Sequence, residues 1–160
     1  MTRWRPAVAG DAAALRDVER EANLVGLAHV FPVAEFPFPD HDVEARWAAT
    51  LADPSVTVEL GVDPEPVAFS AWDAEGRLRH LAVVPAYWGT GLARAGVDRA
   101  VTSVRAAGRT PRLWVLVANN RARGLYEHLG WTPTDREQRS EWPPYPMELE
   151  LVLTESPRGQ

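Results

Sequence analysis

Two closely spaced glycines, Gly89 and Gly91, lie between a strand-like run and a helix-like run in the segment PAYWGTGLARAG, Pro85 to Gly96. A chain turning from a loop into a helix leaves its first amide groups unpaired. With the positive end of the helix dipole, they point at any anion placed there. Glycine lets the backbone approach that anion with no Cβ in the way. The segment therefore reads as a nest for a phosphate-bearing ligand. It fits neither of two common phosphate loops: no lysine follows either glycine, as a nucleotide P-loop requires, and Arg94 stands where the dinucleotide fingerprint needs a small residue. A tight turn ordered only by packing is the plainer alternative, and the flanking strand and helix favour the phosphate reading.

The elements that must hold this loop are legible in the period of the apolar residues. RLRHLAVV, Arg77 to Val84, is a mostly apolar strand, and Leu92, Val97, Ala100, Val101 and Val104 follow with helical spacing until Gly108. RLWVLVA, Arg112 to Ala118, suits a buried parallel strand. Upstream, Asp11 is placed to cap a helix carrying Ala14, Leu15 and Val18 on one face, and Asp42 to cap a second helix carrying Val43, Trp47 and Leu51. Between them FPVAEFPFPD, Phe31 to Asp40, holds too many prolines for a regular helix or central strand. Two short strands, Val56 to Val62 and Val67 to Asp73, lead through a turn at Glu75-Gly76 into the Arg77 strand. After Trp131 come a further strand, the loop EWPPYP and a closing strand MELELVL.

At 160 residues and 46% hydrophobic composition, the chain is expected to form one domain over residues 1–153, with 154–160 as a disordered tail. The net charge of -5 argues against a basic nucleic-acid-binding surface. The absence of a long apolar span or a signal-peptide pattern gives the expectation of a cytoplasmic protein without a membrane partner. Cysteine is absent, which excludes a disulfide scaffold, a cysteine zinc site and a cysteine acyl-enzyme, and no metal is expected.

The glycine loop resembles the acyl-CoA loop of the GNAT superfamily of N-acetyltransferases, whose pattern is Arg or Gln, two residues, Gly, one residue, then Gly or Ala. Here it runs Trp88, Gly89, Thr90, Gly91, Leu92, Ala93 after a family-like VVPAY, and Trp88 departs from the usual Arg or Gln. Downstream, ANNRARGLYEHLGW resembles the family's second pattern through Asn119, Ala122, Tyr126, Gly130 and Trp131. The resemblance covers the chain from about Arg77 to the last strand. It implies an α/β (α+β) GNAT fold: a mixed, mostly antiparallel sheet of six to seven strands, flanked by about four helices and splayed between two central parallel strands. It also implies acetyl-CoA as cosubstrate and an amine, on a small molecule or a protein, as acceptor; a homodimer is one assembly open to such a chain.

Under that resemblance, binding of the CoA moiety falls to Val83, Val84, Trp88, Gly89, Thr90, Gly91, Leu92, Ala93, Arg94, Asn119, Ala122 and Tyr126. A backbone amide around Val83 or Val84 would polarise the thioester. Tyr126 would protonate the leaving thiolate, since a thiol titrates near ~8.5 and a tyrosine near ~10. Helical spacing alone reads Tyr126 as a core aromatic beside Leu125 and Leu129, and Asn119 as a helix cap; the register of the two motifs adds the further roles.

The base is not singled out by the sequence. Strand alternation puts Arg77, Arg79, Leu81 and Val83 on one face and Leu78, His80, Ala82 and Val84 on the other. Aligned on the loop, the arginine face looks at the acceptor and His80 points away, unless a bulge reverses the parity. Arg77 and Arg79 then suit a substrate bearing a carboxylate or phosphate, or else are ion-paired at the strand's start. Glu35, Glu59 and Glu141 are bases or plain surface carboxylates, and a water chain ending at no single residue is an equal alternative. Glu35, Phe36 and Tyr145, with Phe31, Phe38 and Trp142, could wall an acceptor pocket, cover the core edge or make a dimer contact. Three function classes are open. The leading one is an N-acetyltransferase working by direct attack in a ternary complex. The others are a catalytically weak acyl-CoA-binding regulatory member, suggested by Trp88, and an interaction domain without CoA, which requires both motif matches to be accidental.

Overall fold

The segment VAFSAW is apolar on both faces, and in the computed structural model, which describes residues 1–155, it forms the buried heart of a seven-stranded sheet. In chain order the strands are β1 (Arg3–Pro6), β2 (Val56–Val62), β3 (Pro66–Asp73), β4 (Arg77–Val83), β5 (Arg112–Leu116), β6 (Thr132–Arg139) and β7 (Met147–Val152). They lie in the order β1-β2-β3-β4-β5-β7-β6, antiparallel throughout except for the parallel pair β4 and β5. The helices are α1 (Ala12–Gly26), α2 (Asp40–Ala52), α3 (Leu92–Ala106) and α4 (Asn120–His128). This is the mixed sheet with four helices expected from the sequence.

Each helix buries the stripe its periodicity defines. Leu15 and Val18 of α1 and Val43 and Trp47 of α2 pack over one sheet face, where Trp47 meets Phe69 edge-on at 4.9 Å between ring centroids. Val97, Ala100 and Val104 of α3 share the opposite face with Leu78, Leu113 and Val115, and Tyr126 of α4 joins that core. Close approach of α3 depends on Gly96: a Cβ there would stand 2.7 Å from Leu81 Cδ1, and Ser70 Oγ donates to the Gly96 carbonyl at 2.8 Å. A side chain there would require at least the Leu81 side chain to move aside.

Two features of β4 shape the space around it. It pairs with β5 only at Arg77–Arg112 and Leu78–Leu113, so beyond those residues the two strands separate and their facing backbone groups are left without a ladder partner. It also carries a bulge at Arg79, because His80 pairs with Ala71 while Leu78 pairs with Trp72. The bulge reverses the strand's alternation, and the expected grouping of Arg77, Arg79, Leu81 and Val83 on one face does not hold. Leu78 and Leu81 both turn toward α3, and His80 turns toward Trp47 of α2.

Other departures are local. β1 is not expected from the sequence, because four residues containing two arginines and a terminal proline carry little strand signal. Its pairing with β2 supplies the order. Asp11 stands at the N-cap of α1 but makes no cap bond to that helix. Its carboxylate instead accepts from Val8 N–H at 2.7 Å and from both terminal nitrogens of Arg5 at 2.9 and 3.0 Å. α2 starts at Asp40, so Asp42 lies within its first turn and does not cap it. Thr154 and Glu155 have no regular structure, and the rest of the expected tail, 156–160, lies outside the described residues. No helix among the described residues is long and apolar enough to cross a membrane.

Candidate active site

Where β4 and β5 part, two cavities enter the sheet. One, of about 320 Å³, is bounded by the glycine loop, the start of α3, the end of α1 and the start of α4. The other, of about 600 Å³, is bounded by α1, α2, β4, β5 and the segment Gln138 to Trp142. Asn23, Leu27, Leu81, Ala82, Asn119, Ala122 and Tyr126 line both, so the cavities meet along the C-terminal half of β4, the inner face of α4 and the end of α1.

The first cavity gathers unpaired backbone amides and two guanidinium groups. Gly89 and Gly91 hold φ values of 80 and 83, in the left-handed region that a side chain disfavours. α3 has no side-chain cap at its N-terminus, and its first backbone closure is Ala95 N–H onto the Gly91 carbonyl. The amides of Leu92, Ala93 and Arg94 are thus left for a ligand. The lining includes Arg94 and Arg121 and no aspartate or glutamate.

Every residue expected to hold the CoA moiety lines this cavity except Val84 and Thr90. The Thr90 hydroxyl is turned back to the Tyr87 carbonyl at 2.6 Å, and Val84 N–H is spent on the Val67 carbonyl at 2.9 Å. Val84 therefore cannot polarise a thioester. In an antiparallel ladder alternate residues point their backbone groups to opposite neighbours, so with Val84 bonded to β3 it is Val83 and Leu81 that face the gap. Leu81 is an addition that parity with Val84 could have revealed.

Trp88 is folded into the cavity. Its Nε1 donates to the Val83 carbonyl at 2.7 Å, and its ring edge lies against Gly26, where a Cβ would come within 3.6 Å. The Arg121 guanidinium carbon sits 3.8 Å from the ring centroid. No local pattern in the chain signals this pairing between a loop and a distant helix.

Tyr126 is 6% exposed, stacked edge-on against Trp131 at 5.7 Å, and burial pushes its phenol above the usual tyrosine range. It is a core aromatic and a lining residue at once. Asn119 likewise has two positions in the structure: its Oδ1 accepts from Ala122 N–H at 3.2 Å, capping α4, and its side chain borders both cavities.

The second cavity corrects several expectations. His80 does not point away; it lines this cavity, its ring 4.9 Å from that of Trp47. Burial, followed by the charges of Arg46 and Arg79, pushes its pKa down to about 3, so the ring is neutral at physiological pH. Arg77 and Arg79 also line the cavity, yet each already holds a carboxylate. Arg77 donates to Glu150 at 2.8 Å, and Arg79 to Asp73 at 2.9 Å. Glu35, Phe36 and Tyr145 do not line it, and Tyr145 is 52% exposed; Phe31 and Trp142, from the same two loops, do. Of the three candidate carboxylates only Glu141 borders the cavity, and Glu59 is engaged with Arg99. Glu19 and Arg46, which the sequence does not single out, form part of the wall: Glu19 accepts from Trp47 Nε1 at 2.9 Å and pairs with Arg46.

A loop of free amides, a splayed parallel pair and a buried tyrosine at the junction form one arrangement with precedent. The acetyltransferase (GNAT) family model matches residues 12–131. The chain belongs to the GNAT acetyltransferase family. Mycothiol acetyltransferase of Beutenbergia cavernae is 38% identical over 99 residues, a match that covers 58% of this chain and 33% of that protein's length. Among solved structures, the GCN5-related N-acetyltransferase of Rhodopseudomonas palustris superposes with a TM-score of 0.80 at 18% identity, covering 97% of this chain and 96% of its own. The PaiA N-acetyltransferase of Thermoplasma acidophilum, solved in complex with coenzyme A, gives 0.71 at 14% identity, covering 94% and 98%. At these identities the two structures speak for the fold.

Proposed function

We propose that this GNAT acetyltransferase transfers an acetyl group from acetyl-CoA to a primary amine by direct attack, with both substrates bound at once. The observation that carries the reading is the meeting of the two cavities at Tyr126 and the gap-facing backbone of β4. A donor entering from the glycine-loop side and an acceptor from the α1–α2 side would bring their reacting atoms together there, without a covalent enzyme intermediate.

The first cavity fits the acyl donor: the amides of Leu92, Ala93 and Arg94 suit its diphosphate, and the apolar wall that includes Leu81, Ala82 and Ala122 suits its arm. Acetyl-CoA would supply an activated thioester carbonyl and a thiolate leaving group. The N–H groups of Leu81 and Val83 face the gap and would stabilise charge on that carbonyl oxygen. Tyr126, neutral across the ordinary pH range, would give its proton or a hydrogen bond to the departing sulfur. On the acceptor side the amine attacks as its free base and its proton passes to solvent; the cavity holds the uncharged imidazole of His80, and the carboxylates Glu19, Glu141 and Glu148 stand there among Arg46, Arg77, Arg79 and Arg139.

Free thiol release is the direct test. With acetyl-CoA and a panel of amines, at least one amine should accelerate release and appear acetylated by mass. Binding of acetyl-CoA with no amine-dependent release would leave a CoA-binding protein, and no heat on titration with acetyl-CoA would remove the donor assignment too.

A further inference from the structure

We infer that Arg121, held on the ring of Trp88, is the side chain that grips the diphosphate of the acyl donor; this rests on the acetyl-CoA reading above. Both guanidinium groups that line the donor cavity belong to exposed residues, and Arg94 has a carboxylate, that of Asp98, at 4.0 Å. Arg121 makes no salt bridge among the described residues, and the cavity it lines contains no carboxylate. A cation placed in a cavity without a counter-ion is available to an anionic ligand.

Its placement is fixed by a short chain of contacts. Trp88 is anchored at its Nε1 by the Val83 carbonyl and at its ring edge by Gly26, and the guanidinium lies 3.8 Å from the ring centroid. Stacking on an aromatic ring occupies the flat face of a guanidinium and leaves its in-plane N–H groups free, in the fork that matches phosphate oxygens. The ring also removes much of the rotamer freedom that an arginine would lose on binding. Arg121 is the second residue of α4, so its charge adds to the positive end of that helix and faces the same space as the free amides of α3. Two adjacent phosphates offer enough charge and enough oxygens for both partners, which a single carboxylate does not. Arg123, two residues on, is spent on the Val117 carbonyl at 2.8 Å and is not in the lining.

Calorimetric titration of the whole chain with coenzyme A tests this. Arg121→Met should weaken coenzyme A roughly 10- to 100-fold, the range of a charge-assisted contact. Trp88→Ala should weaken it less, and should weaken it no further in the Arg121→Met background, because the ring acts through the guanidinium. 3′-Dephospho-coenzyme A, which keeps the diphosphate, should suffer the same loss in Arg121→Met. Arg121→Lys, which keeps the charge without the fork, should recover part of the affinity. Failure of the unmodified chain to bind coenzyme A would overturn both the donor assignment and this one. Binding unchanged in Arg121→Met, losses that add in the double variant, or a loss that vanishes with 3′-dephospho-coenzyme A would overturn this one alone. Matched thermal unfolding of the variants shows whether any loss comes from misfolding.

Discussion

Leu78 and Leu81 lie three residues apart on β4, yet both side chains pack toward α3, because the bulge at Arg79 between them takes up one residue of the alternation. An unbroken strand would send them to opposite faces. The same extra residue lets Arg77 and His80 share the second cavity, so one local irregularity decides which side chains line it.

His80 makes stability fall on the acid side. Folding keeps the imidazole neutral down to about pH 3, while an unfolded histidine binds a proton near ~6.5. As pH drops through that window the unfolded chain takes up the extra proton, and this residue withdraws up to ~1.4 kcal/mol of stability per pH unit. His80→Gln should therefore show a shallower loss than the unmodified chain in urea unfolding at pH 7, 6 and 5. Parallel curves would mean that the ring is not buried in its neutral form.

Tyr126→Phe keeps the ring that packs on Trp131 and removes only the hydroxyl. Turnover is expected to fall roughly 100-fold or more, as for loss of a general acid, with coenzyme A affinity nearly constant. Stability should hold, since the hydroxyl has no hydrogen-bond partner among the described residues. Unchanged turnover would dismiss the hydroxyl from the chemistry.

Glu19 ties α1 to α2 through the buried Trp47 indole and Arg46. Glu19→Ala leaves that N–H without an acceptor and should cost about 1–3 kcal/mol in denaturant unfolding. Glu19→Gln, whose amide oxygen can still accept, should cost clearly less. Equal losses would show that the charge and not the indole bond is what matters.

Gly91→Ala forces a side chain onto a backbone at φ 83, with open space around it, so strain and not collision sets the cost. About 1–2 kcal/mol of stability should be lost, and coenzyme A should bind more weakly if the loop relaxes away from its nest. Thermal unfolding with and without coenzyme A separates the two effects; a variant as stable and as tight-binding as the parent would refute the nest.

The glycine loop, the cap at Asn119, the aromatic at Tyr126 and the order of nearly all the elements are legible in the amino-acid sequence. They depend on patterns a few residues long, the apolar periods and the glycines at positive φ, whereas the capping roles expected for Asp11 and Asp42 do not hold. β1 escapes such reading because its four residues carry little signal until β2 pairs with them. Other features exist only once the chain has folded. The bulge at Arg79 sets the direction of His80, and the ladder to Val67 removes Val84 from the candidate amides while leaving Val83 and Leu81. Loop packing brings Phe31 and Trp142 to the cavity in place of Phe36 and Tyr145. Trp88 and Arg121 come together from separate elements. In each case the deciding contact joins residues far apart in the chain, and no local pattern records a partner that only the register of the sheet and the seating of the helices bring near.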